Sequence, residues 1–134
     1  MENYWILSAN PNYFDHAGAF HQHGHIDWKQ TRNYSVGDVV YVYVTKPISK
    51  IRYKTQVVCI NMRCEDTCDF ERYWIVSQPN YDAKTRFVRL KLLQEYEDDR
   101  LRFEVLKDHG MGYPPQGPCR VNNDLLSYIR VVEG

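Results

Sequence analysis

Apolar side chains fall along this chain in short blocks whose spacing changes from segment to segment. Tyr4-Trp5-Ile6-Leu7 is dense, β-rich and too short for a helix, which predicts a buried first strand. Asn10-Pro11 follows, and an Asn cap with Pro at the first helical position predicts a helix start. Phe14, Ala17 and Phe20 then recur at helical spacing, and Gly24 suits the left-handed residue that closes a helix. Val36-Gly37-Asp38 predicts a turn into a strand over 39–45, with Tyr41 and Tyr43 on one face. Lys46-Pro47 breaks that strand, and 51–60 predicts the next one. Residues 63–69 are polar and irregular, hence a loop. Tyr73-Trp74-Ile75-Val76 reads as a short strand or helix stopped by Pro79. The longest β-like run, 85–96, alternates imperfectly and points to a bulge. Asp98-Asp99 offers caps for a helix through about residue 107, with Gly110 behind it. Three prolines make 112–118 an extended loop, and Asn122 caps a last helix carrying Leu125, Leu126 and Ile129.

Five or six strands and three short helices thus arrive in mixed order. Regular crossover helices are missing, which argues against a doubly wound parallel sheet. The pattern predicts an α+β fold: a small, mixed, mainly antiparallel β-barrel with flanking short helices, in which closure removes exposed edges. The 134 residues suit one domain spanning 1–134, and 43% hydrophobic with 25% charged residues excludes disordered and fibrous classes. The apolar run 39–44 falls far below the ~20 residues of a membrane span. The chain opens directly into a strand-like block with no basic and apolar leader, so a cytoplasmic location is expected.

Charge narrows the partners. Seventeen basic and seventeen acidic residues cancel, whereas proteins that grip nucleic acid through phosphates are usually basic. A nucleic-acid binder of this composition has to rely on a small specific pocket. Aromatic residues, eleven of them Tyr, make up 14% of the chain and suit half-buried faces and stacking platforms. Trp28 stands in a polar stretch, which marks it as a site residue; Trp5 and Trp74 sit in apolar blocks that assign them to the core.

Candidate chemistry is sparse. Cys59, Cys64, Cys68 and Cys119 read as free thiols, because the spacing lacks a second metal-binding pair and no export signal favours disulfides. His16, His21, His23 and His25 crowd one segment without a zinc-protease pattern, which fits a solvated helix end and no metal. The acidic run Glu95 to Asp99 suits a helix N-terminus. No phosphate loop, nucleophile elbow or dinucleotide fingerprint is present, so neither catalytic residues nor a cofactor is expected. Two rivals stay open: a small-molecule or protein-interaction module, and a hydrolase with Asp27 or Glu65-Asp66 holding Mg²⁺.

The order Tyr4-Trp5-Ile6-Leu7-Ser8-Ala9-Asn10-Pro11, Asp27-Trp28-Lys29-Gln30 and Val36-Gly37-Asp38-Val39-Val40-Tyr41-Val42-Tyr43 resembles the EVE domain family. The tail Pro114-Pro115-Gln116-Gly117-Pro118-Cys119-Arg120-Val121 looks like that family's C-terminal end, so the resemblance spans almost the whole chain. It implies a PUA-like fold, related to YTH readers of N6-methyladenine, with a pocket for a modified base in DNA or RNA. Any chemistry would then belong to a separately encoded partner enzyme. Trp28 matches the cage tryptophan that follows the first helix in an Ile-x-Trp context. Ser8 and Asn10 match polar pocket positions, and Tyr43 and Thr45 match the end of a pocket-lining strand. On this reading Gln30 joins Ser8 and Asn10 at the base edge, while Lys29, Tyr113 and Gln116 complete the pocket. Arg32, Lys46, Lys50, Arg52 and Lys54 would hold flanking phosphates.

Overall fold

The computed structural model describes residues 2–134. The first apolar block forms β1 (Tyr4–Ala9), and Asn10 then turns the chain without starting a helix. Its Oδ1 accepts from the Asn12 N–H at 2.9 Å, and its carbonyl accepts from Tyr13 and Phe14. An Asn side chain satisfies a turn as readily as a helix end, which is why the expected start lies a turn too early. α1 (His16–His23) is capped by the Asp15 carboxylate and closes on Gly24 at φ 75°. β2 (His25–Lys29) begins at the last histidine of the segment read as a solvated helix end and is not expected from the pattern, while β3 (Val39–Val44) and β4 (Lys50–Met62) follow the predicted turn and break. After two short 3-10 turns comes β5 (Phe87–Glu95). The helix expected from Asp98 is instead a 3-10 turn, the four-residue α2 (Phe103–Leu106) and another 3-10 turn ahead of Gly110. β6 (Cys119–Arg120) is only a two-residue rung. α3 (Asn123–Glu133) is capped by Asn122, whose Oδ1 accepts from the Leu125 N–H at 2.9 Å.

The strands build one six-stranded sheet in the order β2-β5-β4-β3-β1-β6. Only the β1–β3 pair is parallel. The mixed, mainly antiparallel α+β architecture stands, but the sheet is open, with β2 and β6 at its edges. Curvature replaces closure. Register shifts interrupt the β4–β5 ladder at Lys54/Thr55, Val57/Cys59 and Cys59/Met62, and such bulges bend and twist a strand. As a result Leu7 and Ser8 of β1 border the same cleft as Trp28 and Lys29 of β2, although three strands separate them in the sheet. The functional site lies in this seam.

Alternation assigns the two faces. Val40, Val42 and Val44 pack toward Phe14 and the α1 residues Ala19 and Phe20. Tyr41 and Tyr43, one step out of phase, pack on the opposite face against Leu106 of α2 and Leu125 and Ile129 of α3. The predicted turn is held by Asp38, which is fully buried. It accepts from the Asn3 and Ser35 N–H groups and from Trp5 Nε1, at 2.9 to 3.0 Å. Burial alone would push its carboxyl up. The hydrogen bonds from Ser35, Asn3 and Trp5 outweigh it and hold the group below the usual carboxylate range. Among the described residues no helix is long and apolar enough to cross a membrane.

Candidate nucleic-acid interface

Trp28 reaches the seam because β2 is an edge strand paired through Trp28↔Val88, with the sheet on one side only. It is half-buried, and its indole lies parallel to that of Trp74, with centroids 5.7 Å apart and planes 7° from parallel. Both rings stand edge-on upon buried Phe14, each 5.0 Å from its centroid. A planar ring inserted between the two indoles needs two carbon contacts of about 3.5–4.0 Å each, more than this spacing leaves. The tryptophans therefore form one double wall with no room for a ring between them. Trp74, assigned to the core from its apolar block, packs against that core and also borders the open space beside Trp28.

Two clefts share this wall. The inner cavity, about 410 Å³, is bounded by Ser8, Asn10, Tyr13, Thr45, Trp28, Trp74 and the loop residues Pro114 to Gln116, with Phe14 and His16 at its side. None of these residues is acidic or basic except the imidazole. The outer cleft, about 470 Å³, runs from Ser8, Trp28 and Gln116 past Lys29 and Thr31 to Asp82 and Thr85. From Lys29, Thr31, Asp82 and Thr85 it continues into a groove of about 590 Å³ that also carries Arg32, Lys84 and Arg86. Four cations face a single carboxylate there. That carboxylate, Asp82, is occupied in accepting from Lys84 and Thr85 N–H groups at 2.8 and 3.0 Å. The zero net charge of the sequence conceals this local concentration.

Of the residues expected at the pocket, Ser8, Asn10, Trp28, Thr45 and Gln116 line the inner cavity, and Lys29 lines the outer cleft. Others lie elsewhere. Tyr43 is buried on the α3 face, because its parity is opposite to that of Val42 and Val44. Gln30 sits in the basic groove with both ends of its amide used: Nε2 donates to the Arg32 carbonyl and Oε1 accepts from the Asn61 N–H at 2.8 Å. These bonds brace the groove wall and place Gln30 outside the lining of the inner cavity. Tyr113 is exposed on an adjoining cleft with Met111, Arg120 and Asn122, which shares Pro115 and Gln116 with the inner cavity.

The phosphate contacts divide in the same way. Arg32 borders the basic groove, and Lys46 is exposed just beyond β3. Lys50 is buried against Asp99 at 2.9 Å, and Arg52 pairs with Glu95 at 3.0 Å and Glu97 at 2.8 Å. Lys54 pairs with Glu133 of α3. These three cations are each held in an ion pair, whereas Lys84 and Arg86, which are not among the expected contacts, border the basic groove.

The histidine segment is not uniformly solvated. His16 is buried, its ring packed 4.8 Å from Phe14 and 5.1 Å from Trp28. Burial pushes its imidazole down from 6.5 to about 4, against smaller upward pulls from the Phe14 carbonyl and Asp15. His25, Asp27 and Cys68 bring their ligand atoms within 4.8 Å of one another. Arg89 already fills the cation's role: it chelates Asp27 at 2.8 and 3.0 Å and reaches Cys68 Sγ at 3.7 Å. Asp27 is thereby a buried counter-charge and not an open Mg²⁺ ligand. Glu65 and Asp66 lie in an exposed 3-10 turn beside Arg63.

No family model and no curated protein sequence matches the chain. Solved structures do. A point variant of the ASCH protein from Zymomonas mobilis superposes with a TM-score of 0.66 at 12% identity, covering 98% of this chain and 96% of that one. A protein from Pseudomonas putida gives 0.64 at 17% identity, over 98% and 99%. One from Rhodopseudomonas palustris gives 0.65 at 13%, over 93% and 88%. At these identities the likeness is one of fold. The neighbours that carry a family name are ASCH proteins and not EVE proteins, so these likenesses support a shared fold and leave the EVE resemblance read from the sequence unsupported.

Proposed function

We propose that this chain is a non-catalytic, PUA-like nucleic-acid-binding module that receives a modified, methylated base in the inner cavity. The flanking strand of the nucleic acid lies along the Lys29, Arg32, Lys84 and Arg86 groove. The observation that carries the reading is continuity. An uncharged cavity with a half-buried tryptophan wall opens, through one shared cleft, into the groove where the free cations gather. Stacking on an aromatic wall returns about 1–3 kcal/mol per base and offsets the few kcal/mol needed to extrude it. The cations position the backbone without reading sequence. A methyl group buried in the cavity adds ~0.8 kcal/mol, about fourfold, and close shape fit raises the discrimination further.

The test is titration of tryptophan fluorescence with short oligonucleotides carrying N6-methyladenine or 5-methylcytosine, each beside its unmodified twin. Quenching is expected to be at least fourfold tighter for one modified strand, and Trp28→Ala should weaken binding by about fivefold to a hundredfold. Equal affinity for modified and plain strands removes the base-reading part; no binding to any strand removes the proposal.

A further inference from the structure

The inner cavity contains one polar side chain that the fold leaves unsatisfied. His16 has 4% of its surface exposed and borders the cavity beside Ser8, Asn10 and Trp28; the Phe14 carbonyl pulls on its ring, but neither Nδ1 nor Nε2 completes a hydrogen bond, and both nitrogens are closed off from solvent until a ligand parts the side chains over them. A buried polar group without a partner costs about 1–3 kcal/mol, so folds that keep one usually keep it for a purpose. We infer that His16 is the specificity-determining residue of the cavity, which hydrogen-bonds the polar edge of an uncharged, planar, nucleobase-like heterocycle stacked on Trp28.

This deepens the base-reading proposal and rests on it. Three features lead to the assignment. The ring is already stripped of solvent by folding, so a hydrogen bond from an incoming ligand meets no further desolvation cost on the protein side and contributes more than an exposed contact would. Phe14 and Trp28 clamp the ring at 4.8 and 5.1 Å, so its two nitrogens point in fixed directions. The remaining polar lining is amide and hydroxyl: Ser8, Asn10, Tyr13, Thr45 and Gln116. Asn10 spends its Oδ1 on the Asn12 N–H, which leaves its amide N–H₂ to donate. A neutral imidazole supplies one donor and one acceptor. The cavity has no carboxylate to neutralise a cationic base and no Lys or Arg to neutralise a phosphate. The chemistry matches a neutral base with a donor or acceptor on its edge.

The experiment pairs binding with stability. His16→Phe keeps an aromatic ring against Phe14 and Trp28 and removes both nitrogens; His16→Gln restores a donor and an acceptor. Wild type and both variants are titrated with adenosine, guanosine, cytidine, uridine, N6-methyladenosine and 5-methylcytidine. The cation 7-methylguanosine and ribose 5-phosphate serve as charged controls, and denaturant midpoints are measured in parallel. The expected result is that His16→Phe binds the preferred nucleoside about tenfold more weakly and loses preference among bases, while its denaturation midpoint holds or rises. His16→Gln recovers part of the preference. In the wild type the ring nitrogen resonances of His16 shift when that nucleoside is added. The inference is overturned if wild type binds nucleosides while His16→Phe keeps the same affinity and preference. It is equally overturned if the Trp28 indole resonance moves and those of His16 do not, or if a charged control binds best. Failure of the base-reading proposal looks different: wild type binds none of the uncharged nucleosides.

Discussion

At the scale of single residues, the site turns on side chains whose environment contradicts their type. His16 carries a pH consequence that needs no ligand. The unfolded chain protonates it near 6.5, whereas the folded chain holds it neutral down to about 4. The unfolded state therefore binds more protons across that window, and stability falls as the pH drops through it, by about 3 kcal/mol in total. Among the described residues the charge that acts on the ring is the carboxylate of Asp15; the groups packed on it, Phe14 and Trp28, do not titrate. Denaturant midpoints measured from pH 7 to pH 4 should show this slope in wild type and a flatter one in His16→Phe. Residue by residue, the sequence was informative where polarity and type disagree locally. Trp28 in a polar stretch is such a case. Trp74 was not legible, because an apolar neighbourhood in sequence does not reveal that Ile75 and Val76 turn outward. Tyr43 was misplaced for a simpler reason: strand parity turns it toward α3, whereas Thr45, past the end of β3, borders the cavity.

Elements were legible in proportion to their length and the clarity of their punctuation. β1, the Val36-Gly37-Asp38 turn, β3, β4 and the capped α3 all follow from local signals, as does the stop at Gly24. β2 did not, because its five residues mix His, Asp and Trp and owe their strand conformation to pairing with β5. Two elements depend on single polar side chains, and each yields a prediction. Asp38→Ala leaves the Asn3, Ser35 and Trp5 donors without an acceptor, and should cost about 3 kcal/mol or more in chemical denaturation. Asn122→Ala removes the cap of α3 and the bond from Nδ2 to the Gly110 carbonyl at 2.8 Å. A loss of about 1–2 kcal/mol is expected, with the α3 amides exchanging first.

For the whole molecule, the decisive quantity is where charge is free and not how much there is. Lys50, Arg52 and Lys54 are neutralised by Asp99, Glu95 and Glu133, while Lys29, Arg32, Lys84 and Arg86 gather along the groove. If those four cations each displace a counterion from a single strand, the logarithm of affinity should fall against the logarithm of salt with a slope near −3. Lys84→Ala should make the slope shallower by about 0.7, and Arg52→Ala should leave it unchanged; fluorescence titration between 50 and 200 mM salt reads both. Total charge could not forecast this distribution, since ion pairs such as Lys54–Glu133 join residues far apart in the chain.

The unpaired gap between β1 and β2 makes the molecule a pair of calipers. Its jaws carry Ser8 and Trp28, and its hinge is the set of extra residues in the β4–β5 ladder, one in β5 opposite Lys54 and Thr55 and the others in β4 between Val57 and Met62, that sets how tightly the ladder is bowed. Deleting one of those irregularities would straighten the bow and spread the jaws, altering which ring fits without touching any atom that meets it. Tuning of fit in proteins of this shape can therefore proceed from the back of the sheet, at positions such as Val58 and Cys59 that no inspection of the cavity wall would single out.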